Sequence, residues 1–545
     1  MTAPVRRLLA LAALAAVPVA VLGLFFVVPV SGMVARGFWP DGEFAPDQVW
    51  EVLTRDRTLR VLAFTLWSAA AGTVGSVGLG LPAAYVLHRT ALPLRRGVRS
   101  ALLVPFVLPT VVVGVAFRQL LGAGGPLGFL GLDGSATAIV LGLVFFNVAV
   151  VIRVVGGAWE QLDDRPGHAA ATLGASPVQV FRTVTWPQLR PAVVSAATVV
   201  FLFCATAFGI VLTLGGSRYA TVETEIYLLT VQVFDLPGAA ALSVLQLVVV
   251  LALLLVAGRT RSTPVVRRPA TPHRLRRSDV VPVAVTLLLL AAIAAPVLAL
   301  LVGSLRVDGA WGLENYTALS TTGQRDALQV SVTAALLNSL RTAVDATWMA
   351  LLTGLLVAVV VTRRSRSRAE RRTRRLLDGL FMLPLGVSAV TLGFGFLITL
   401  DRPPFDLRDS PLLVPIAQAL VALPLVVRTL VPVLAGIDDR QRQAAASLGA
   451  GALRTLATVD LPVLWRPVLA ASGFAFAVSL GEFGATSFLA REDFPTMPLV
   501  IFRLLGHPGE LNYGMALAAS VVLAATTAVV VLAVERLRVT SVGAF

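Results

Sequence analysis

The chain has 545 residues, 57% of them hydrophobic and 14% charged, with a formal net charge of +15. A soluble domain runs at about 45–50% apolar and about 25% charged, which excludes an ordinary globular enzyme. A nucleic-acid binder is excluded too, because it would carry its basic residues on a soluble face, and here they sit in short loops between apolar runs.

Apolar runs of about 20 residues, enough to cross a hydrocarbon core of roughly 30 Å, predict twelve spans. They begin near Leu8, Leu59, Ala101, Ala136, Ala192, Gly238, Val280, Ala335, Leu377, Leu412, Val468 and Asn512. The expected fold class is all-α, a polytopic membrane protein of twelve transmembrane helices. The first run follows Arg6 and Arg7 as a signal peptide would. It is too long for the apolar region of one and lacks a small-residue cleavage site, so it is read as a span.

With the N-terminus inside, arginine concentrates in the inner loops and carboxylates in the outer ones. Basic residues stay on the cytoplasmic side during insertion, so both termini are expected in the cytoplasm of a multi-pass cell-membrane protein. The block Arg363, Arg364, Arg366, Arg368, Arg371, Arg372, Arg374 and Arg375 is read as a topology determinant, with anionic-lipid binding as the alternative. The lipid bilayer is thus an expected partner and nucleic acid is not.

Chemistry is further limited by what is missing. All 45 basic side chains are arginine, so neither the lysine of a P-loop nor a Schiff-base amine can be supplied. Cys204 is the single cysteine and His88, His168, His273 and His507 are scattered, leaving no metal-ligand spacing. No catalytic residue, metal or chain-bound cofactor is expected.

After the fourth span comes the loop LDDRPGHAAATLGASPVQVFRTVTWPQLRP. Here Asp163 and Asp164 precede a short helix carrying His168, Ala169, Ala170 and Leu173, with Asp164 expected as the N-cap. Gly174 is expected to stop it in the left-handed conformation. Ser176 and Pro177 suit the N-cap and N1 of a second short helix, which Pro187 is expected to end.

The Arg- and Pro-rich stretch 259–279 reads as a basic cytoplasmic linker between two halves, 1–258 and 280–545, and the sequence repeats across it. Residues 151–187 align on 426–462 without a gap, with 14 of 37 pairs identical. The same offset carries Phe208-Gly209 onto Phe483-Gly484 and Thr221 onto Thr496. Six spans per half give two parallel repeats about an axis normal to the membrane. The second loop, IDDRQRQAAASLGAGALRTLATVDLPVLWRP, repeats the first through Asp438, Asp439, Gln443, Ala444, Ala445, Gly449 and Pro462. Packing against the protein's own helix ends explains one such loop; two near-copies favour a docking surface.

The spacing Ala169, Ala170, Gly174, Val184, Trp186, Pro187, repeated as Ala444, Ala445, Gly449, Val459, Leu461, Pro462, resembles the EAA loop of permease subunits of ATP-binding-cassette importers. The leading glutamate of that motif is His168 in one copy and Gln443 in the other, and Trp186 stands where leucine is usual. The resemblance implies a type I importer-like permease fold in a bacterial inner membrane. It also implies loops that seat on two copies of a separate ATPase subunit, where ATP and magnesium bind, and an extracytoplasmic solute-binding protein. The fused architecture resembles thiamine permeases first, through the segments from Phe208 and Ser479, and ferric-iron permeases second.

Ionisable groups inside spans are costly and default to functional readings. Glu482, opposite Ala207 in the other half, either lines a translocation path with Phe483 and Phe208 or forms a buried ion pair with an arginine. Asp345 is expected to pair with Arg341 one turn away. Arg153 and Arg428, at matched places near span ends, either snorkel or hold the loops. The rival reading is an ion-gradient-driven secondary transporter with two six-helix halves, which leaves the duplicated loops unexplained.

Overall fold

A computed structural model describes residues 14–40, 42–93, 95–216, 218–259, 273–362, 368–401 and 406–537. Arg6, Arg7, most of the linker, and Arg363, Arg364 and Arg366 lie outside the described residues. Within them the chain is helical apart from one two-stranded hairpin, Arg306–Val307 with Ala310–Trp311.

Among the described residues ten helices are long and apolar enough to cross a membrane: Leu14–Phe38, Asp56–Arg89, Ala136–Glu160, Pro177–Ala205, Leu236–Leu255, Arg277–Ser304, Val332–Thr362, Leu413–Gly436, Leu456–Leu480 and Glu510–Val534. They answer to ten of the twelve expected spans. The third and ninth are corrected, because each is broken. The third consists of Arg95–Val107 and Thr110–Leu121, parted at Pro109. Proline has no N–H to give and forces the residue before it out of the helical region; Pro109 itself takes φ −57°, ψ 140°. The ninth consists of Arg368–Met382, a tight turn at Leu383–Gly386 and Ala389–Thr399. There the second helix starts afresh at Ser388, whose Oγ accepts the Thr391 N–H at 3.0 Å.

The chain forms two compact units that do not follow the sequence halves. One holds Trp50–Glu225 and Val248–Tyr316; the other holds the first span, Ile226–Leu247 and the residues from Thr317 onward. Each half has given its first span to the unit built mainly from the other. The first span packs on Ala389–Thr399, with Phe25 and Phe396 ring centroids 6.0 Å apart. The seventh span packs on Asp56–Arg89 and Thr110–Leu121, so closely that a Cβ at Gly303 would lie 2.6 Å from the Gln119 Nε2.

Within each unit the longest span buries small residues. In Asp56–Arg89 these include Ser68, Ala69, Gly72, Ser76, Gly80, Ala83 and Ala84. A Cβ at Gly80 would stand 2.8 Å from the Val151 side chain. Val332–Thr362 buries Ala335, Ser339, Ala343, Ala346, Ala350, Gly354 and Ala358, and a Cβ at Gly354 would meet Val426 at 2.6 Å. In lipid no hydrophobic drive brings helices together, so close backbone approach and van der Waals contact must do it. The same two helices each cap a short helix with a hydroxyl. Thr65 Oγ1 accepts the Val222 N–H at 3.0 Å, and Ser339 Oγ accepts the Met497 N–H at 2.7 Å.

Candidate functional site

The two repeated loops fold alike. In the first, the helix Arg165–Thr172 ends at Gly174, where φ is +88°. Ala175 N–H donates to the Ala170 carbonyl at 3.1 Å and Gly174 N–H to the Ala171 carbonyl at 3.0 Å. That nested pair closes orphan carbonyls at the helix end. The second helix, Asp439–Ser447, ends at Gly449 with φ +80°, and Ala450 and Gly449 donate to Ala445 and Ala446, both at 3.0 Å. No neighbour lies within 4 Å of a Cβ built at either glycine, so it is the backbone turn that requires them.

The helix starts correct the expected cap. Asp164 is already in the helical region and makes no cap bond; its carboxylate pairs with Arg89. The preceding aspartate does the capping. Asp163 accepts the Arg165 N–H at 3.0 Å and Asp438 the Arg440 N–H at 2.9 Å. Asp439 is the first residue of its helix, while Asp438 takes the extended conformation, φ −61°, ψ 125°, that a cap needs.

Ser176 and Pro177 open the second short helix as expected, in a capping box with Gln179. Ser176 N–H donates to Gln179 Oε1 at 2.7 Å and Gln179 N–H to Ser176 Oγ at 3.4 Å. Pro187 does not end that helix. The chain runs on from Pro177 through the span to Ala205. The ladder widens to a π turn over Phe181–Thr185, closed by Trp186 N–H on the Phe181 carbonyl. The wider turn relieves the clash between the proline ring and the carbonyl four residues back. Leu456–Asp460 does the same before Pro462.

Exposure also repeats. His168 and Gln443, Ala169 and Ala444 are exposed, and Ala170 and Ala445 are half-buried. At the tips Leu173 is 89% and Leu448 88% exposed. Sequence reasoning placed these leucines on the loop helices without singling them out. Their identity in both copies was the available signal, since a fully exposed leucine held twice has no packing reason to persist.

The roots of the loops are held differently. In the first, Glu160 Oε1 takes His88 Nδ1 at 2.7 Å, Arg95 Nη2 at 3.3 Å and Arg99 Nη1 at 3.6 Å. In the second, Arg442 Nε donates to Asp460 Oδ1 at 2.9 Å and its Nη2 to the Leu434 carbonyl at 3.2 Å.

The embedded carboxylate is turned onto its own chain. Glu482 is 7% exposed and accepts the Ala485 N–H at 2.7 Å, the Thr486 N–H at 3.1 Å and the Thr486 hydroxyl at 2.5 Å. Among the described residues no arginine pairs with it, which corrects the ion-pair alternative. Phe483 is buried against Phe502, centroids 5.5 Å apart, and Phe208 is buried too. The glycines after these phenylalanines seat each turn on a broken span. A Cβ at Gly209 would meet Thr110 and one at Gly484 would meet Ala389. Glu482→Gln is expected to cost about 1.5–3 kcal/mol, the range for hydrogen bonds to a charged acceptor, measured as thermal unfolding in detergent. Unchanged stability with altered substrate preference would instead place Glu482 on the path.

Two further expectations change. Asp345 does not pair with Arg341; its Oδ1 accepts Trp348 Nε1–H at 3.3 Å. Arginine N-terminal to an acid is the weaker order for an i,i+4 pair. Glu223 and Glu225, which fall between the fifth and sixth expected spans, are buried, and Glu225 takes a bidentate fork from Arg57 with Nη2 at 2.9 Å.

The family model of the binding-protein-dependent transport system inner membrane component matches the chain twice, over residues 76–262 and 350–538. The thiamine transport system permease protein ThiP of Brucella abortus is 28% identical over 471 residues, covering 82% of each chain. ThiP of Escherichia coli is 28% identical over 487 residues, 85% of this chain and 86% of its own. The molybdenum transport system permease protein ModB of Mycobacterium tuberculosis is 36% identical over 259 residues, 45% of this chain but 93% of its own, so a whole permease there answers to about half of this one. The chain belongs to this family as a multi-pass inner-membrane ABC importer permease with two transmembrane domains fused in one polypeptide.

Proposed function

We propose that the two loops ending at Gly174 and Gly449 are the docking points for a pair of cytoplasmic ATPase subunits, and that ATP-driven motion of those subunits is transmitted through them to open a path for thiamine or a close relative. The observation that carries the reading is the repetition itself: the same cap, the same closing turn, the same π turn and the same exposed leucine, twice. Closing and parting of two ATPases can then move each unit as a rigid body. Similarity to thiamine permeases over 82% and 85% of the chain favours that substrate. Ferric iron ranks next from the sequence, and the half-length similarity to a molybdenum permease adds molybdate as a comparator.

In this reading both termini and the loops face the cytoplasm, an extracytoplasmic binding protein delivers the substrate, and Glu482, Phe483 and Phe208 hold the turns beside the broken spans. The test is uptake by proteoliposomes containing the permease, its genomically neighbouring ATPase and binding protein. Labelled thiamine is expected to accumulate with ATP, and excess unlabelled thiamine to compete where ferric citrate and molybdate do not. Competition by either of the latter alone would overturn the substrate assignment and leave the docking reading intact.

A further inference from the structure

The last turn of Asp56–Arg89 is a meeting point for two segments distant in sequence. On one side lies the end of the segment joining the halves. His273 N–H donates to the Arg89 carbonyl at 3.0 Å and Ala91 N–H to the His273 carbonyl at 2.8 Å, making a parallel bridge. Asp279, 2% exposed, accepts the Tyr85 hydroxyl and the Arg276 N–H, each at 2.9 Å. The Oδ2 that takes the Arg276 N–H also faces His273 Nε2 at 3.3 Å.

On the other side lies the root of the first loop. The Tyr85 ring is 5.3 Å from Trp159, Trp159 is 6.5 Å from Phe181, and Phe181 is 6.3 Å from Trp186, centroid to centroid. Those last two residues bracket the π turn. Next to Tyr85 on the same helix, His88 and Arg89 hold Glu160 and Asp164. A linker that only spans a gap has no reason to bury a carboxylate, since burial costs free energy unless every lone pair is met. Here the carboxylate is met, and by a tyrosine that also touches the aromatic chain.

The other half keeps Asp439 in the place of Asp164 but lacks the aromatic chain and the glutamate. At the positions matching Tyr85, Trp159, Phe181 and Trp186 stand Val359, Leu434, Leu456 and Leu461, and Glu160 is matched by Ala435. Aliphatic side chains fill space without a preferred plane, whereas ring contacts and a hydroxyl bonded to a fixed acceptor set an angle.

We propose that His273–Asp279 is a brace for the first loop, holding its angle to the membrane helix through Tyr85 and Trp159, so that the two docking points are mechanically unequal. The inference rests on the docking reading above for its consequence but not for its structure. Tyr85, Trp159 and Asp279 are positioning residues.

Hydrogen exchange on the full-length permease in nanodiscs, without any ATPase, tests the structure. Tyr85→Phe, which deletes one hydroxyl, Asp279→Asn and Trp159→Leu are each expected to speed amide exchange across 165–186 on the order of tenfold, the scale of one charge-assisted hydrogen bond. Exchange across 440–460 should stay at the wild-type rate. Equal loosening of both loops, or no change in Tyr85→Phe and Trp159→Leu, overturns the brace. In proteoliposomes with the ATPase and the binding protein, the variants are expected to keep ATP turnover while labelled thiamine moved per ATP falls several-fold. Unchanged stoichiometry in a variant whose first loop has loosened also overturns it. A wild-type permease that binds no ATPase would sink the docking reading, and the exchange result would still stand or fall by itself.

Discussion

Leu173→Asp combined with Leu448→Asp is expected to abolish recruitment of the ATPase while the permease still inserts and folds. The two side chains are 89% and 88% exposed, so folding should shift by no more than about 0.5 kcal/mol, as for other surface substitutions. At a docked interface the balance reverses. An apolar anchor seated in a pocket is worth about 2 kcal/mol or more, and putting a carboxylate there adds its desolvation cost. About 2 kcal/mol per loop corresponds to roughly 30-fold in affinity. Because two linked contacts reinforce one another through effective concentration, the double variant should fall far below either single one. Titration of the purified ATPase onto immobilised permease measures this, with thermal unfolding as the check on fold. Wild-type affinity in the double variant would remove these leucines from the interface.

A second large effect is expected from one methyl group. Gly156→Ala would place its Cβ 2.3 Å from His88 Cδ2 and Nε2, whereas the adjacent Gly157 has nothing within 4 Å. His88 is 1% exposed, with Nδ1 2.7 Å from Glu160, so the ring cannot retreat without giving up its partner. Overpacking of this kind costs about 1–3 kcal/mol, and separating the half-buried His88–Glu160 pair adds to it. Gly157→Ala should be neutral or stabilise by up to about 1 kcal/mol, since alanine is the better helix former. The comparison is read from expression level and thermal unfolding of the two variants side by side. Equal behaviour would show that His88 does not occupy this slot.

What the sequence made legible was mostly local. Gly174 and Gly449 had to take positive φ because nothing else ends a helix so cheaply, and Ser176-Pro177-Val178-Gln179 spells its own capping box. The repeat across the loops was visible without any structure. Hydropathy, however, reports the apolar content of a run and not its continuity, so the breaks at Pro109 and Ser388 passed unseen inside the third and ninth spans. The N-cap fell one residue early because Asp163-Asp164 and Asp438-Asp439 offer two adjacent candidates, and only backbone angles choose between them. The exchange of first spans had no sequence signal, since an apolar run does not say which helix it packs against. The sequence offers Glu482 a translocation path or a distant arginine. The local solution, amides three and four residues ahead, was already written in Glu482-Phe483-Gly484-Ala485-Thr486 and is invisible to a search for opposite charge. Glu223 and Glu225 were missed because a polar segment reads as a loop until a partner such as Arg57 allows its burial.

The central claim is that this chain moves solute only when an external ATPase drives it through the paired loops. Proteoliposomes holding the permease and binding protein should show no accumulation of labelled thiamine under a proton or sodium gradient, and should begin to accumulate it when the ATPase and ATP are both present. Uptake by the permease alone, powered by an ion gradient and indifferent to nucleotide, would contradict the account.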